Sequence, residues 1–169
     1  MSDLVLAFLG FLAANFAAAS SGGVFKPGAW YENLAKPGWT PPNWAFPITW
    51  SVLFLMNTVS GWMVWRATDG EPGLALGLYA LSLGMNFAWS ALFFGLKRMD
   101  WALVDVVLLW LSIAAVAAVF APISVWAAAL QLPYLIWVTI AGVLNVRLLQ
   151  MNPNATPAGA AAFAQSGGR

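Results

Sequence analysis

The sequence contains no cysteine and no histidine. Without cysteine the chain cannot form a disulfide, and it offers no thiolate nucleophile. The absence of both residue types excludes the usual zinc ligand sets, histidine general-base catalysis, and histidine or cysteine ligation of a haem iron. We therefore expect no resident metal and no obligatory cofactor.

Charged residues are scarce as well. Only 8% of the 169 residues are charged, 62% are apolar, and the mean hydropathy is +0.78. A soluble domain carries about a quarter charged residues, so this sequence cannot supply a water-facing surface. The net charge of +1 says nothing about nucleic acid, and since the chain has no basic tract we expect no nucleic-acid partner. The composition indicates an integral membrane protein whose surroundings are a lipid bilayer.

Long apolar runs give the organisation of the chain. A spanning helix needs about 20 mostly apolar residues. Five such runs are present, at about residues 4–24, 44–65, 73–95, 101–120 and 123–149. The sequence thus predicts an all-α integral membrane protein, a five-transmembrane-helix bundle over residues 1–151. Residues 152–169 are rich in Ala, Gly and Pro and are predicted to form a flexible C-terminal tail.

Asp3 precedes the first run, and no Lys or Arg comes before it. This is wrong for an export signal, so we interpret the run as the first span.

Basic residues predict the orientation of the five spans. One side would carry six of them, against Arg66 alone on the other: Lys26, Lys36, Lys97, Arg98, Arg147 and Arg169. The C-terminus is therefore expected on the cytoplasmic side if the protein lies in an inner membrane. The sequence leaves open whether the membrane is inner or outer.

A stripe of small residues follows the third run at helical spacing, at Gly73, Gly77, Ala80, Gly84 and Ala88. Small residues let membrane helices approach closely. The stripe predicts either ordinary packing inside the bundle or the contact surface of a dimer.

The first connection contains the most unusual stretch, "WYENLAKPGWTPPNWAFPITW", residues 30–50, with four Trp and four Pro. Proline has no N–H donor, fixes its own φ, and pushes the preceding residue towards an extended conformation. Residues 36–42 are therefore predicted to form a stiff, non-helical loop. Rigid aromatic rings on such a loop could act as a lid.

Three stretches carry a resemblance to a known family. The first is the ordered pattern Trp30-Tyr31, Leu34, Lys36-Pro37, Trp39, Pro41-Pro42, Trp44, Phe46-Pro47, Trp50. The others are "NFAWSALFFGLKR", residues 86–98, and "PYLIWVTIAGVLN", residues 133–145. Over about residues 4–150 the chain resembles the translocator protein family, also called the tryptophan-rich sensory protein or TspO/MBR family. The resemblance implies a five-helix membrane protein that binds tetrapyrroles, sterols or synthetic isoquinoline and benzodiazepine ligands, is commonly a homodimer, and here is of bacterial origin.

Two helix faces place polar and aromatic residues within the spans. Trp137 shares a face with Tyr134, Ala141 and Asn145, and a second face carries Asn86, Trp89, Ser90 and Phe93. Polar residues in a bilayer usually turn inward, so both faces are expected to line a shared interior. Spacing alone also fits plain core packing; the resemblance favours a binding role for Trp50, Trp137 and Asn86. The predicted ligand-binding residues are Trp30, Tyr31, Lys36, Trp39, Trp50, Asn86, Trp89, Ser90, Tyr134, Trp137 and Ala141.

These residues predict a cavity for a planar apolar ligand of the porphyrin or tetrapyrrole type. Aromatic rings can stack on its faces, and we expect its propionates near Lys36. Porphyrin, or haem without firm ligation, is the expected small-molecule partner, and the protein would act as its sensor or transporter. The alternative is an enzyme that degrades the porphyrin in light, with Trp50 and Trp137 as catalytic residues only in that case. The resemblance also implies cholesterol binding, but "VLNVRLLQ" has Val146 where the proposed sterol pattern needs Tyr, so tight cholesterol binding is not predicted.

Overall fold

A computed structural model describes residues 3–156, and every regular element in that part of the chain is helical, with no strand. Five segments within it are long and apolar enough to cross a bilayer. We number them spans 1 to 5: Asp3–Val24, Ala45–Ala67, Leu74–Gly95, Met99–Phe120 and Val125–Met151. The predicted all-α bundle of five transmembrane helices is confirmed.

The described residues form eight α-helices and one π-helical segment. In chain order they are α1 (Asp3–Ala19), α2 (Ser21–Val24), α3 (Ala29–Glu32), α4 (Ala45–Ala67), α5 (Leu74–Ser90), the π segment (Ala91–Gly95), α6 (Met99–Phe120), α7 (Val125–Ala129) and α8 (Leu132–Met151). Span 1 joins α1 to α2, span 3 joins α5 to the π segment, and span 5 joins α7 to α8, whereas α3 lies between spans 1 and 2. Hydropathy gave the five spans without these interruptions.

Pro133 explains the interruption of span 5. The proline lies in the first turn of α8, where its missing N–H is tolerated. A continuous helix would bring its ring against the carbonyl of residue 129. The chain therefore leaves α7 at Leu130 and restarts at Leu132, and the side chain of Gln131 is buried between the two helices.

The first connection is non-helical over residues 35–44, as its prolines predict. Pro47 lies in the first turn of α4. The short helix α3 carries Tyr31, whose ring is buried. We call residues 25–44 the cover loop.

Packing within the bundle pairs the spans in a consistent way. Span 1 packs on spans 2 and 3, and span 4 packs between spans 3 and 5. A close approach of spans 1 and 2 depends on Gly61, because a Cβ there would lie 2.7 Å from the Phe11 ring.

A chain of buried polar side chains crosses the half of the bundle that contains α7. Asn15 donates to Tyr79, and Asn57 donates to Asn15 Oδ1 over 2.9 Å. Gln131 donates to Asn57 Oδ1 over 2.9 Å and to Ser60 Oγ over 2.8 Å. These bonds connect spans 1, 2, 3 and 5. Each partner is satisfied inside the protein, as a bilayer requires.

The small-residue stripe of span 3 faces outward. Gly77, Ala80 and Gly84 are exposed, and a Cβ at Gly77 or Gly84 would meet nothing within 4 Å. These three residues therefore do not pack inside the bundle, which was one of the two interpretations of the stripe.

The predicted tail begins in an ordered way. Asn152 accepts a hydrogen bond from the Ala35 N–H over 2.8 Å and donates to the Ala35 carbonyl over 2.9 Å. Residues 152–156 thus lie against the cover loop, whereas residues 157–169 of the predicted tail lie outside the described residues.

Candidate ligand-binding cavity

A cavity of about 580 Å³ lies between spans 1, 2, 3 and 5 and the cover loop. Its volume falls within the range of about 300–1,000 Å³ that is usual for small-molecule sites. Span 4 contributes no described lining residue.

One wall is formed by aromatic side chains of spans 2 and 5. The Trp50 and Trp137 rings meet edge to face, with centroids 6.4 Å apart and planes at 88°. Phe46 contacts Trp137 at 5.7 Å, and Phe54 stacks on Trp50 at 5.5 Å. These contacts fix the rings against one another, so this wall is largely preformed.

The end of span 3 forms another part of the lining. Trp89 stacks on Phe93 with centroids 5.0 Å apart, and the adjacent Phe94 also reaches the cavity. The π segment contains a hydrogen bond from the Leu96 N–H to the Ala91 carbonyl, five residues back. This wider turn brings the neighbouring residues Phe93 and Phe94 to the same cavity, and π segments often occur at functional sites.

The cover loop closes the end of the cavity through Tyr31. Its ring contacts Phe94 at 5.5 Å, and burial raises the pKa of the Tyr31 phenol above its ordinary value, so the hydroxyl stays neutral. The ammonium of Lys36 lies over the outer face of that ring, 4.6 Å from the centroid. Trp30 Nε1 donates to the Ala155 carbonyl over 3.2 Å. The loop is therefore held both by the end of span 3 and by the C-terminal residues.

Polar groups are few in these walls. Ser21 donates to Ser90 over 3.0 Å, and Asn86 donates to the Tyr134 hydroxyl over 2.9 Å. Three buried polar atoms of lining residues have no hydrogen-bond partner among the described residues: Trp89 Nε1, Trp137 Nε1 and Asn145 Oδ1. All three atoms are buried, so none of them is exposed to the cavity in this arrangement of side chains.

The structure brings seven of the eleven predicted residues to the cavity: Tyr31, Trp50, Asn86, Trp89, Ser90, Trp137 and Ala141. The other four do not line it. Trp30 packs on the outer side of Phe93, and Trp39 is 49% exposed at the loop tip. Tyr134 lies behind Asn86, and the Lys36 ammonium donates to the Glu32 and Leu34 carbonyls of its own loop. A part for these four in ligand binding stays a prediction.

The charge at the cavity differs from the expectation of a basic mouth. Among the described lining residues the one charged side chain is that of Glu32, which is exposed. Lys36 is held away because its amine is bonded to loop carbonyls. No group of three or more acidic side chains that could hold a metal ion occurs within residues 3–156.

Sequence reasoning missed several lining residues, chiefly phenylalanines and small residues. Phe46 lies four residues before Trp50 on the same helix, so helical spacing from Trp50 could have found it. Phe25 and Gly22 belong to the irregular end of span 1, where helical spacing gives no guidance. The lining residues absent from the prediction include Gly22, Gly23, Phe25, Phe46, Pro47, Ser51, Phe54 and Phe94.

Five spans, four of which line an aromatic cavity, define a multi-pass integral membrane protein with an internal site of small-molecule size. The chain belongs to the TspO/MBR family, whose sequence model matches residues 4–151. It is 43% identical over 147 residues to the "Tryptophan-rich sensory protein" of Cereibacter sphaeroides, covering 87% of this chain and 92% of that one. It is 38% identical to "Protein CrtK" of Rhodobacter capsulatus, over 89% and 95% of the two chains. It is 40% identical to the "Translocator protein" of Bos taurus, over 85% and 83%.

Proposed function

We propose that this protein binds a planar apolar ligand of the porphyrin or tetrapyrrole class between its helices and acts as a membrane sensor or transporter of that ligand. The observation that carries the proposal is a cavity of about 580 Å³ lined by indole and phenyl rings of spans 2, 3 and 5. Such rings offer stacking surfaces to a flat guest. The names of the relatives, a sensory protein and a translocator protein, favour the same kind of role.

Affinity in this proposal comes from ring contacts. The indole N–H groups of Trp89 and Trp137 have no partner but are buried, so each would donate to a guest only after its side chain rotates towards the cavity. Haem would bind much as the free porphyrin does, because the chain has no His or Cys to ligate its iron.

Ligand titration of the protein in lipid vesicles tests the proposal. Protoporphyrin IX, haem and cholesterol are each titrated, with porphyrin absorbance or bound ligand as the readout. We expect Trp137→Ala to raise the Kd for protoporphyrin about tenfold, because an aromatic contact and its buried area contribute on the order of 1.4 kcal/mol. Trp126 is a matched control on the same span, since it is 73% exposed and does not line the cavity. Equal effects of Trp137→Ala and Trp126→Ala, or no saturable binding at all, would contradict the proposal.

A second candidate function is light-dependent degradation of the bound porphyrin, with dioxygen as the oxidant. The specific observation in its favour is that Trp50 and Trp137 both line the cavity and touch edge to face. Illumination of the complex should then give a new absorbing product that Trp50→Phe and Trp137→Phe abolish while binding persists. Bleaching at the rate of free porphyrin would exclude this activity.

We also propose that the protein forms a homodimer through span 3. The exposed stripe of Gly77, Ala80 and Gly84 offers a flat surface on which a second copy could pack closely.

A further inference from the structure

The end of span 1 is attached to span 3. Ser21 Oγ donates to Ser90 Oγ over 3.0 Å. The Phe25 ring lies edge to face with Phe87 at 5.9 Å, and it covers Gly95 so closely that a Cβ there would be 2.9 Å from the ring. Residues 21–25 therefore follow span 3 and not span 2.

The beginning of span 2 is attached to span 5 instead. The Trp50 ring meets Tyr134 at 5.9 Å and Trp137 at 6.4 Å. Phe46, one turn earlier, meets Trp137 at 5.7 Å. The first turns of span 2 thus lean towards span 5.

Spans 1 and 2 separate as a consequence. Over most of their length the two spans are in contact. Trp62 donates to the Leu4 carbonyl over 3.0 Å, and Asn57 donates to Asn15. Ala19 and Phe54 still belong to one apolar cluster. Beyond that point no hydrogen bond or ring contact joins residues 20–25 to residues 43–51.

The gap between the two spans leads into the cavity. Gly22 and Gly23 lie on one side of it, and Pro47 and Ser51 lie on the other. All four line the cavity and are exposed, and a Cβ at either glycine would meet nothing within 4 Å. The opening is thus bordered by residues with small side chains and lies inside the spanning segments.

The surroundings of the gap are apolar. Val24 is 66% exposed and Ile48 is 58% exposed, and both lie beside it on the lipid-facing surface. Exposed aliphatic side chains at a span surface indicate contact with hydrocarbon. The gap therefore faces the bilayer.

The cover loop closes the end of the cavity that faces water, and it is held more firmly than the sides of the gap. The side chain of Asn152 pairs with both backbone groups of Ala35, and Trp30 donates to Ala155. Three hydrogen bonds thus hold the cover loop to the C-terminal residues, whereas none bridges the gap within residues 3–156.

We propose that this gap is a lateral portal through which an apolar planar ligand passes directly between the bilayer and the cavity, with the cover loop staying closed. The proposal rests on the proposed function and adds the route and the source of the ligand, which is the membrane phase. A ligand of this class partitions into lipid, so a side entrance gives access from where its concentration is highest.

Rates of protoporphyrin IX exchange in lipid vesicles test the portal. Val24→Trp and Ile48→Trp narrow the gap from its two sides, and neither residue lines the cavity. We expect both variants to slow association and dissociation about tenfold each, with Kd changed by less than about threefold, because a narrowed passage raises the barrier in both directions. Gly10→Trp and Val59→Trp are the matched controls, since both positions are exposed on the same two spans away from the gap, and they should exchange like the unmodified protein.

Asn152→Ala separates the portal from entry under the cover loop. The substitution removes two of the bonds that hold the loop, so rates should stay unchanged if ligand passes between spans 1 and 2. Faster association and dissociation in Asn152→Ala, or Val24→Trp rates equal to those of Gly10→Trp, would overturn the portal while leaving the binding function intact. Absence of saturable binding by the unmodified protein would instead remove the proposed function, and the portal with it.

Discussion

At the scale of single residues, a close contact between spans 1 and 2 depends on the absence of a side chain at Gly61. Gly61 lets the Phe11 ring lie against the backbone of span 2, and Tyr79 approaches from span 3. Added atoms at such a contact force side chains from their preferred rotamers or push the helices apart.

We predict that Gly61→Ala lowers the free energy of unfolding by about 1–3 kcal/mol, the usual cost of an overpacked core. Reversible unfolding in mixed micelles measures the change. Gly10→Ala is the control, because a Cβ at Gly10 meets nothing within 4 Å, and alanine there should stabilise the helix by about 0.5–1 kcal/mol. Equal unfolding free energies of the two variants would show that the methyl group at position 61 does not overpack the contact with Phe11.

The sequence indicated residues that line the cavity where an aromatic or polar group lies on an inward helix face. Trp137 and Asn86 are examples, and their part in ligand binding stays a prediction. Lys36 does not line the cavity, because a local bond to the Glu32 carbonyl holds the amine. Phe54 was missed although it lies four residues after Trp50 on the same helix face, because apolar residues occur on every face of a membrane span.

At the scale of elements, the outward stripe on span 3 has a testable consequence. We predict that Gly84→Leu dissociates the proposed dimer without unfolding the protomer, because the added side chain meets nothing within its own chain but would separate two packed copies. Light scattering of the detergent-solubilised protein gives the mass. Gly10→Leu, the same change on span 1, should leave the mass unaltered. A protein that is monomeric before any substitution would refute the dimer proposal.

The buried polar chain between spans supports a second prediction at this scale. Asn57→Leu removes the bonds to Asn15 and Gln131, and hydrogen bonds between membrane helices contribute about 0.6–2 kcal/mol each, so we expect a loss of about 1–3 kcal/mol of unfolding free energy. Ser82→Ala is the comparison, because Ser82 Oγ bonds within its own span to the Tyr79 carbonyl and should cost less. A smaller loss for Asn57→Leu than for Ser82→Ala would mean that the chain of bonds does not hold the spans together.

Element boundaries were only partly accessible from sequence. Hydropathy finds spans because lipid demands long apolar runs, and it is insensitive to how the backbone is wound within them. The π segment at Ala91–Gly95 depends on how Phe93 and Phe94 pack against the cover loop, which is tertiary information. The interruption before α8 could have been inferred from Pro133 by the rule that proline begins helices.

At the scale of the whole molecule, the distribution of basic residues predicts the orientation in an inner membrane. The C-terminus and the connection between spans 3 and 4 should face the cytoplasm, because loops rich in Lys and Arg stay on that side. Alkaline phosphatase fused at the C-terminus should therefore be inactive, and the same enzyme inserted at Asp69 should be active. The reverse pattern would invert the proposed topology, and equal activities would indicate dual orientation or a different membrane.

The overall architecture was the most predictable level, since 62% apolar composition and five long runs leave few alternatives to a helical bundle. The order of the spans around the cavity was not predictable in this way. It depends on contacts such as that of Ser21 with Ser90, which are 69 residues apart in the chain.

The pairing of Asn152 with Ala35 joins positions 117 residues apart, and it has a consequence for biogenesis. The cover loop is synthesised 117 residues before the residue that anchors it. A nascent chain that ends within span 5 has therefore inserted most of the bundle while its cover loop still lacks the Asn152 contact. Termination before residue 152 would yield an inserted protein whose cover loop is not anchored over the cavity.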